Sequence, residues 1–527
     1  MTAIDGSSPR AENPAGLRHG AVTAVVCLAL AAVVAAMSSL NVALPDIARS
    51  THASQTQLEW VIDAYSLVFA ALLLPAGAIG DRYGRRRALI IGLAIFGVGS
   101  LLAMFVGGAN ELIALRAVIG MGASLVMPAT LSTITSTFPP TQRTRAVSIW
   151  AGVAGGAAVL GLLCSGTLLE FWSWRSVFGL NVVLAAMALI GTFRVVPESA
   201  DKNAPKLDRG GAALAVIALV ALVFSIIEAP TAGWVSARTL LGIAAGIVVL
   251  ALFVAYELRQ PNPMLDPRIF TNRRLSAGSS SIFIQFFAFF GFIFVMLQYL
   301  QLVRGDSAIV SAVSMLPMAA GMMPSARVSP LLVARLGARA VCVAGLVLIA
   351  GGLVILAQLD AGTTYWLIVA GLLPLGIGMG MAMTPATSAI TEALPASRQG
   401  VGSAMNDLSR EVGGALGIAV IGSVLAGVYS SHLSIPGAPA ALVDKAKESL
   451  AVATHLGAQA THAAHGAFLD GLHLALLVAA GAAVLAAVCV SLLLRRSGAE
   501  HGAQEAETVS VRVPPPSLPA DSSAVRR

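Results

Sequence analysis

Asp407, Arg410 and Glu411 stand inside an otherwise apolar stretch, residues 400–428. On a helix Asp407 and Glu411 are i,i+4 neighbours and Arg410 follows Asp407 by three, so the three charges share one side. A charge at the centre of a membrane helix costs on the order of 2.5–3.5 kcal/mol on insertion scales. From a start near Gly400, at about 1.5 Å per residue, the trio lies about 10–16 Å deep, which implies a face turned to a cavity. One arginine compensates one acid, and desolvation favours the neutral form of the other, so a carboxyl here can carry a proton. The competing reading is a structural ion pair of Arg410 with Asp407 or Glu411, Gly413, Gly414 and Gly417 forming a close helix contact. Asp63 lies about five residues into another apolar run, and Arg116 opens an Arg-x3-Gly-x-Gly pattern with Gly120 and Gly122.

The elements that position these charges are membrane helices. Of 527 residues 57% are hydrophobic and 11% charged, too apolar for an ordinary soluble domain. The apolar residues fall into runs of about 20, the length that spans the hydrocarbon as a helix. Fourteen spans are expected, near 20–44, 58–80, 88–108, 111–137, 146–168, 177–195, 210–229, 238–257, 276–302, 307–332, 340–359, 364–389, 400–428 and 467–494. Basic residues such as Arg82, Arg85, Arg86, Arg87, Arg268, Arg273 and Arg339 gather in alternate joints, which orients both termini to the cytoplasm of a multi-pass plasma-membrane protein. The net charge of +7 is scattered through these loops, so no nucleic-acid partner is indicated.

Gly77-Ala78-Ile79-Gly80-Asp81-Arg82-Tyr83-Gly84-Arg85-Arg86-Arg87 closes the second span. Glycines permit close helix approach, a carboxylate can sit against a neighbouring helix N-terminus, and arginines anchor the loop. A plain basic anchor explains the arginines but not the glycine and Asp81 spacing. Ala334-Arg335-Leu336-Gly337-Ala338-Arg339 is a degraded echo of this motif, and Met127-Pro128-Ala129-Thr130 recurs as Thr384-Pro385-Ala386-Thr387. The matches imply two six-helix halves, as in many secondary transporters: 20–195 and 276–494, with an inserted pair at 210–257 and an outer loop at 429–466. Residues 1–19 read as a cytoplasmic segment and 495–527 as a disordered tail.

The 77–87 motif resembles the signature between spans 2 and 3 of the major facilitator superfamily. Leu40 to Pro45, Trp60 to Tyr65, Arg116 to Gly122, Trp174 to Asn181 and Asn406 to Glu411 are further similar to the fourteen-span drug:proton antiporters, especially exporters of quaternary ammonium and other lipophilic cations. The resemblance implies an all-α fold of two six-helix halves plus an extra pair. It further implies a conformational latch of Gly77, Asp81, Arg82, Gly84, Arg85 and Arg86, proton relay at Arg116, and cation contact at Asp63. An interfacial Asp63 that snorkels to water remains an equal alternative. Two departures stand out. Ala36 occupies the place of an acid in span 1, and Gly161-Leu162-Leu163-Cys164-Ser165-Gly166 lacks the proline that members carry there, so the direction of transport stays open.

No Walker loop, nucleophile constellation or metal spacing occurs in the sequence, so neither enzymatic chemistry nor a cofactor is expected. The expectation is a monomeric, proton-coupled exporter of small lipophilic cations that works by alternating access, with protons, substrate and lipid as partners. Movement of an endogenous metabolite, lipid or antibiotic in either direction, or a sensor or scaffold role, are the alternatives. With Ala36 in place of an acid, the count of buried carboxylates favours electroneutral export of monovalent cations.

Overall fold

The computed structural model describes residues 14–200, 208–261, 263, 265–393, 399–435, 439–454 and 456–510. Its order is α1 (Pro14–Thr51), α2 (Gln55–Tyr83), α3 (Arg85–Ala103), α4 (Ala109–Thr137), α5 (Pro140–Phe171) and α6 (Arg175–Val195). Then come α7 (Arg209–Ile227), α8 (Ala229–Ala232), α9 (Ala237–Glu257), α10 (Arg273–Gln298), α11 (Ala308–Ser314), α12 (Leu316–Leu356) and α13 (Tyr365–Glu392). Last are α14 (Gln399–His432), α15 (Ala440–Glu448), α16 (Leu450–Ala453) and α17 (Ala458–Ser510).

Twelve of the described helices are long and apolar enough to cross a membrane, against the fourteen spans expected. The difference lies in two places. Ala308–Leu356 counts as one 49-residue span, although α12 is two helices joined across a kink at Gly337, whose φ is 82°. In α5, which runs for 32 residues, the stretch whose side chains are all described is Gly156–Phe171, too short to be counted as a crossing. At the chain's ends, α17 continues past 494 to Ser510, while 1–13 and 511–527 of the expected terminal segments lie outside the described residues.

The glycine repeat has a backbone counterpart. Gly84, between α2 and α3, has φ 122°, and Gly337, its equivalent in the echo motif, also has positive φ. Both turn the chain in a region that side chains bearing a Cβ rarely enter. The second repeated motif is mirrored in side-chain bonding: Trp150 of α5 donates to Thr130 Oγ1 at 3.0 Å, and Thr387 of α13 hydrogen-bonds Asn406 Oδ1 of α14 at 3.1 Å. In each half the threonine of the repeat ties its helix to the next.

The inserted helices α7 and α9 pack on one another, and α7 lies along the seam between α2 and α14. There Leu67, Val223, Ile227 and Ala419 form a small buried cluster of their own, with Trp60 packed against it. Capping is local: Ser54 and Gln57 form a capping box that starts α2, and Asp208 accepts from Gly211 N at the start of α7.

Gly84 serves two purposes, since a Cβ there would also meet the Glu198 carboxylate at 2.6 Å, whereas Gly337 has open space around it. Gly84→Ala is therefore expected to lower stability by about 1–3 kcal/mol through backbone strain and to displace Glu198 as well. Gly337→Ala should show the strain alone. Thermal unfolding of the two variants in detergent checks the ordering, and equal losses would contradict it.

Candidate functional site

Helices α2, α4 and α14 carry the charges singled out in the sequence, α10 packs against α14, and these backbones can approach because glycines line the contacts. A Cβ at Gly120 would sit 2.5 Å from the Tyr65 carbonyl, and one at Gly122 2.6 Å from Phe96 N. Gly413 and Gly417 lie directly against the Phe283 and Phe287 carbonyls of α10, and Gly414 against the Phe290 ring. On α5, Gly161 meets Ala35 and Ser38 of α1, Ser165 donates to Ser39 O at 2.7 Å, and Gly166 meets Ala308 and Ile309 of α11. α5, which lacks the span 5 proline, is continuous from Pro140 to Phe171.

Arg116 is buried, donates from Nε to Val61 O at 2.8 Å, and lays its guanidinium 4.3 Å above the Tyr65 ring. Its two terminal nitrogens have no hydrogen-bond partner. Tyr65 in turn donates to Val33 O of α1 at 3.1 Å, so a cation–π contact and two backbone carbonyls hold a cation amid three helices. Glu411 is also buried and lies within electrostatic range of Tyr65. One of its carboxylate oxygens accepts from Arg410 Nε and Nη2, each at 3.3 Å, and the other has no partner. Arg410 faces the Phe286 ring at 5.5 Å, within an aromatic group that includes Phe289 and Phe290. Asp407 is only partly buried and lies close enough to Arg410 to interact with it.

Asp63 is completely buried, and neither carboxylate oxygen has a hydrogen-bond partner. The snorkelling alternative is thereby removed, because burial denies the side chain access to water. Sequence reasoning passed over Glu59, one helical turn before Asp63, which is likewise fully buried. Its Oε2 lies 3.2 Å from Ser423 Oγ of α14, and its Oε1 is unpartnered. The signal was available in the i,i+4 spacing of two acids on α2. Gln285 of α10 donates to Ser281 Oγ at 3.0 Å and leaves Oε1 unpartnered.

The 77–87 motif forms a separate group at the other end of α2. Asp81 pairs with Arg85, the first residue of α3, at 2.9 Å. Arg85 N donates to Ser199 O at 2.9 Å, Arg86 N to Glu198 Oε1 at 3.2 Å, and Arg86 Nη2 to Phe193 O at 2.7 Å. Gly77 rests on Pro128, and Arg82 is partly exposed at the helix end. The motif thus straps α2 and α3 to the end of α6. Among the described residues no group of three or more potential metal ligands comes together.

Residues 26–418 match the model of the Major Facilitator Superfamily, and the chain belongs to that family. It is a multi-pass membrane transport protein rather than an enzyme. It is 36% identical over 398 residues to the multidrug resistance protein Stp of Mycobacterium tuberculosis, covering 75% of this chain and 73% of that one. It is 35% identical to the methyl viologen resistance protein SmvA of Salmonella typhimurium, over 86% of this chain and 92% of that one. With the multidrug efflux pump LfrA of Mycolicibacterium smegmatis it shares 33% identity over 94% of this chain and 100% of that one. In fold it resembles a bacterial homolog of the human lysosomal transporter Spinster in an inward-facing, unoccupied conformation. That match has a TM-score of 0.65 and 16% identity over 92% of this chain and 98% of that one.

Burying a charge is costly, and Arg116 recovers only one hydrogen bond and one cation–π contact, so an apolar side chain of similar size can replace it without loss of stability. Arg116→Met is therefore expected to keep or raise the melting temperature while abolishing transport. A lowered melting temperature with transport intact would mark Arg116 as a packing residue only.

Proposed function

We infer that this transporter exports lipophilic cations in exchange for protons by alternating access. The observation that carries the reading is Glu411: an acid buried in α14, half neutralised by Arg410, with its second oxygen unpartnered beside an aromatic group. Such a group can take a proton or face a cation, but not both at once, and that exclusivity is what exchange requires. Asp407 and Glu411 are assigned as proton and cation acceptors, Arg410 and Arg116 as tuning charges, and Asp63 as a cation contact. Asp81 and its neighbours form the latch. The relatives named for multidrug resistance, efflux and methyl viologen resistance support this substrate class.

The same reading gives fourteen crossings. At about 1.5 Å per residue, 49 helical residues would extend about 74 Å, more than twice a hydrocarbon core of roughly 30 Å. The break at Gly337 divides that length into two crossings, and α5, 32 residues long, supplies another. The chain is then two six-helix halves, 20–195 and 276–494, with the pair at 210–257 between them. Both termini are cytoplasmic in the plasma membrane, and the chain acts as a monomer.

With that orientation, the contacts joining the halves lie toward the outer end. Gly166 meets Ala308, Gln301 Nε2 donates to Val42 O at 2.9 Å, and Glu59 meets Ser423. Among the described residues these contacts close the outer end, as an inward-facing conformation requires. With Asp63, Asp407 and Glu411 as its acids and Ala36 where span 1 could carry another, the site favours nearly electroneutral export of monovalent cations.

Asp407→Asn and Glu411→Gln remove titratable charge with little change in volume. Each is expected to abolish pH-driven efflux of ethidium, a lipophilic cation, from proteoliposomes while the protein inserts at normal abundance. Undiminished coupled efflux in both would overturn the assignment, and a sensor or scaffold would tolerate both changes.

A further inference from the structure

The seam where α2, α14 and α7 meet holds a hydrogen-bond chain that the transport site does not use. Ser423 Oγ lies 2.9 Å from Ile226 O of α7 and 3.2 Å from Glu59 Oε2 of α2. A serine hydroxyl has one proton to donate. If it donates to the carboxylate, the close contact with the Ile226 carbonyl brings two acceptors together with no hydrogen between them. If it donates to Ile226 O, the shorter of the two contacts, the Glu59 contact is satisfied only by a proton on the carboxyl. The chain then reads Glu59 Oε2–H to Ser423 Oγ–H to Ile226 O, with every contact a donor facing an acceptor.

The surroundings agree with a neutral acid. On its own helix the nearest titratable group is Asp63, from the end of α7 it is Glu228, which accepts from Trp60 Nε1 at 3.4 Å, and both lie within electrostatic range of Glu59. The cation on α4, Arg116, is engaged with Val61 O and the Tyr65 ring. On α14 the contact is Ser423, with Gly422 beside it: a Cβ there would meet the Glu59 carboxyl carbon at 2.8 Å, so this helix comes directly against the acid. An ionised Glu59 would be a buried charge next to two further acids with one hydroxyl in support, an arrangement that costs several kcal/mol.

We propose that Glu59 is a proton-dependent closure residue: the outer end of the seam shuts only after Glu59 has taken a proton from the outer medium. The proposal rests on the alternating-access reading, in which α2 and α14 part at this end. When they part, Glu59 loses Ser423, meets water and ionises. When a proton returns, COO⁻ and H⁺ give COOH, and the neutral group can be covered again by Gly422, Ser423 and α7. Closure is therefore stabilised on the acid side and weakened as the outer pH rises. The glutamine of Glu59→Gln imitates the protonated acid, since its amide donates to Ser423 Oγ in the same direction, and the variant is expected to fold.

Two measurements on the purified full chain test this without any transported substrate. In infrared difference spectra at neutral pH, Glu59→Gln should remove one carboxylic-acid carbonyl band, and Ser423→Ala should shift that band to higher frequency by weakening its hydrogen bond. In hydrogen–deuterium exchange compared at matched pH, the outer ends of α2 and α14 should exchange faster in the wild type than in Glu59→Gln at alkaline pH, and equally at acid pH. The absence of a lost band together with an unmoved Ser423→Ala spectrum would show Glu59 ionised and overturn the proposal. So would exchange that is the same in both proteins at every pH. Ethidium efflux is the separate test of the transport reading: its failure alongside a positive infrared and exchange result would remove that reading and leave the protonated, closure-linked Glu59 standing.

Discussion

Carboxyl groups inside a bundle of apolar helices are costly, about 2.5–3.5 kcal/mol each on insertion scales, and Glu59, Asp63 and Glu411 are all enclosed. Much of the remaining architecture can be understood from that constraint. Two acids lie on α2 and one on α14, the helices that meet across the seam between the halves, and α7 covers the seam from the side. Each acid keeps at least one oxygen without a partner. Those oxygens have capacity for a further hydrogen bond, to a proton donor or to a cationic group.

Exchange of partners needs halves that move as rigid bodies, and the glycine contacts supply the rigidity. Gly120 and Gly122 bring α4 against α2 and α3, and Gly413 and Gly417 bring α14 against α10, so backbone meets backbone with no side chain between. The strap of Arg85 and Arg86 onto Phe193, Glu198 and Ser199 holds the ends of α2, α3 and α6 as one unit. Among the contacts between the halves are a glycine on a carbonyl, a glutamine on a carbonyl, and an acid on a hydroxyl. The last of these is the one whose strength depends on a proton.

Much of this was legible in the sequence because membrane helices must be long, apolar and internally hydrogen-bonded. The run lengths located the helices, and the sequence echo of the Gly84 motif at Gly337 has a counterpart in the positive φ of both glycines, where the motif itself pointed only to close helix approach. Pairing of Arg410 with an acid followed from spacing, though which acid did not: helix periodicity puts Asp407 and Glu411 on one side without choosing between them. Glu59 was missed for a tertiary reason. It stands five residues from the start of α2, where an acid is ordinarily wet, and only packing by α14 and the inserted α7 dries it. Asp63 is likewise enclosed in the bundle and not at its wet rim. The helix count differs from the expected fourteen in two places, the continuous stretch Ala308–Leu356 with its kink at Gly337 and the shorter stretch counted in α5.

The central claim is that these buried acids couple proton movement to cation movement. It is tested most directly in proteoliposomes with the membrane potential held at zero and only a pH gradient imposed, by following ethidium and internal pH together. The account predicts that ethidium moves uphill against its own gradient while protons move the opposite way, and that both stop when the pH gradient is collapsed. Ethidium that only equilibrates, at a rate indifferent to the pH gradient and with no accompanying proton flux, would contradict it.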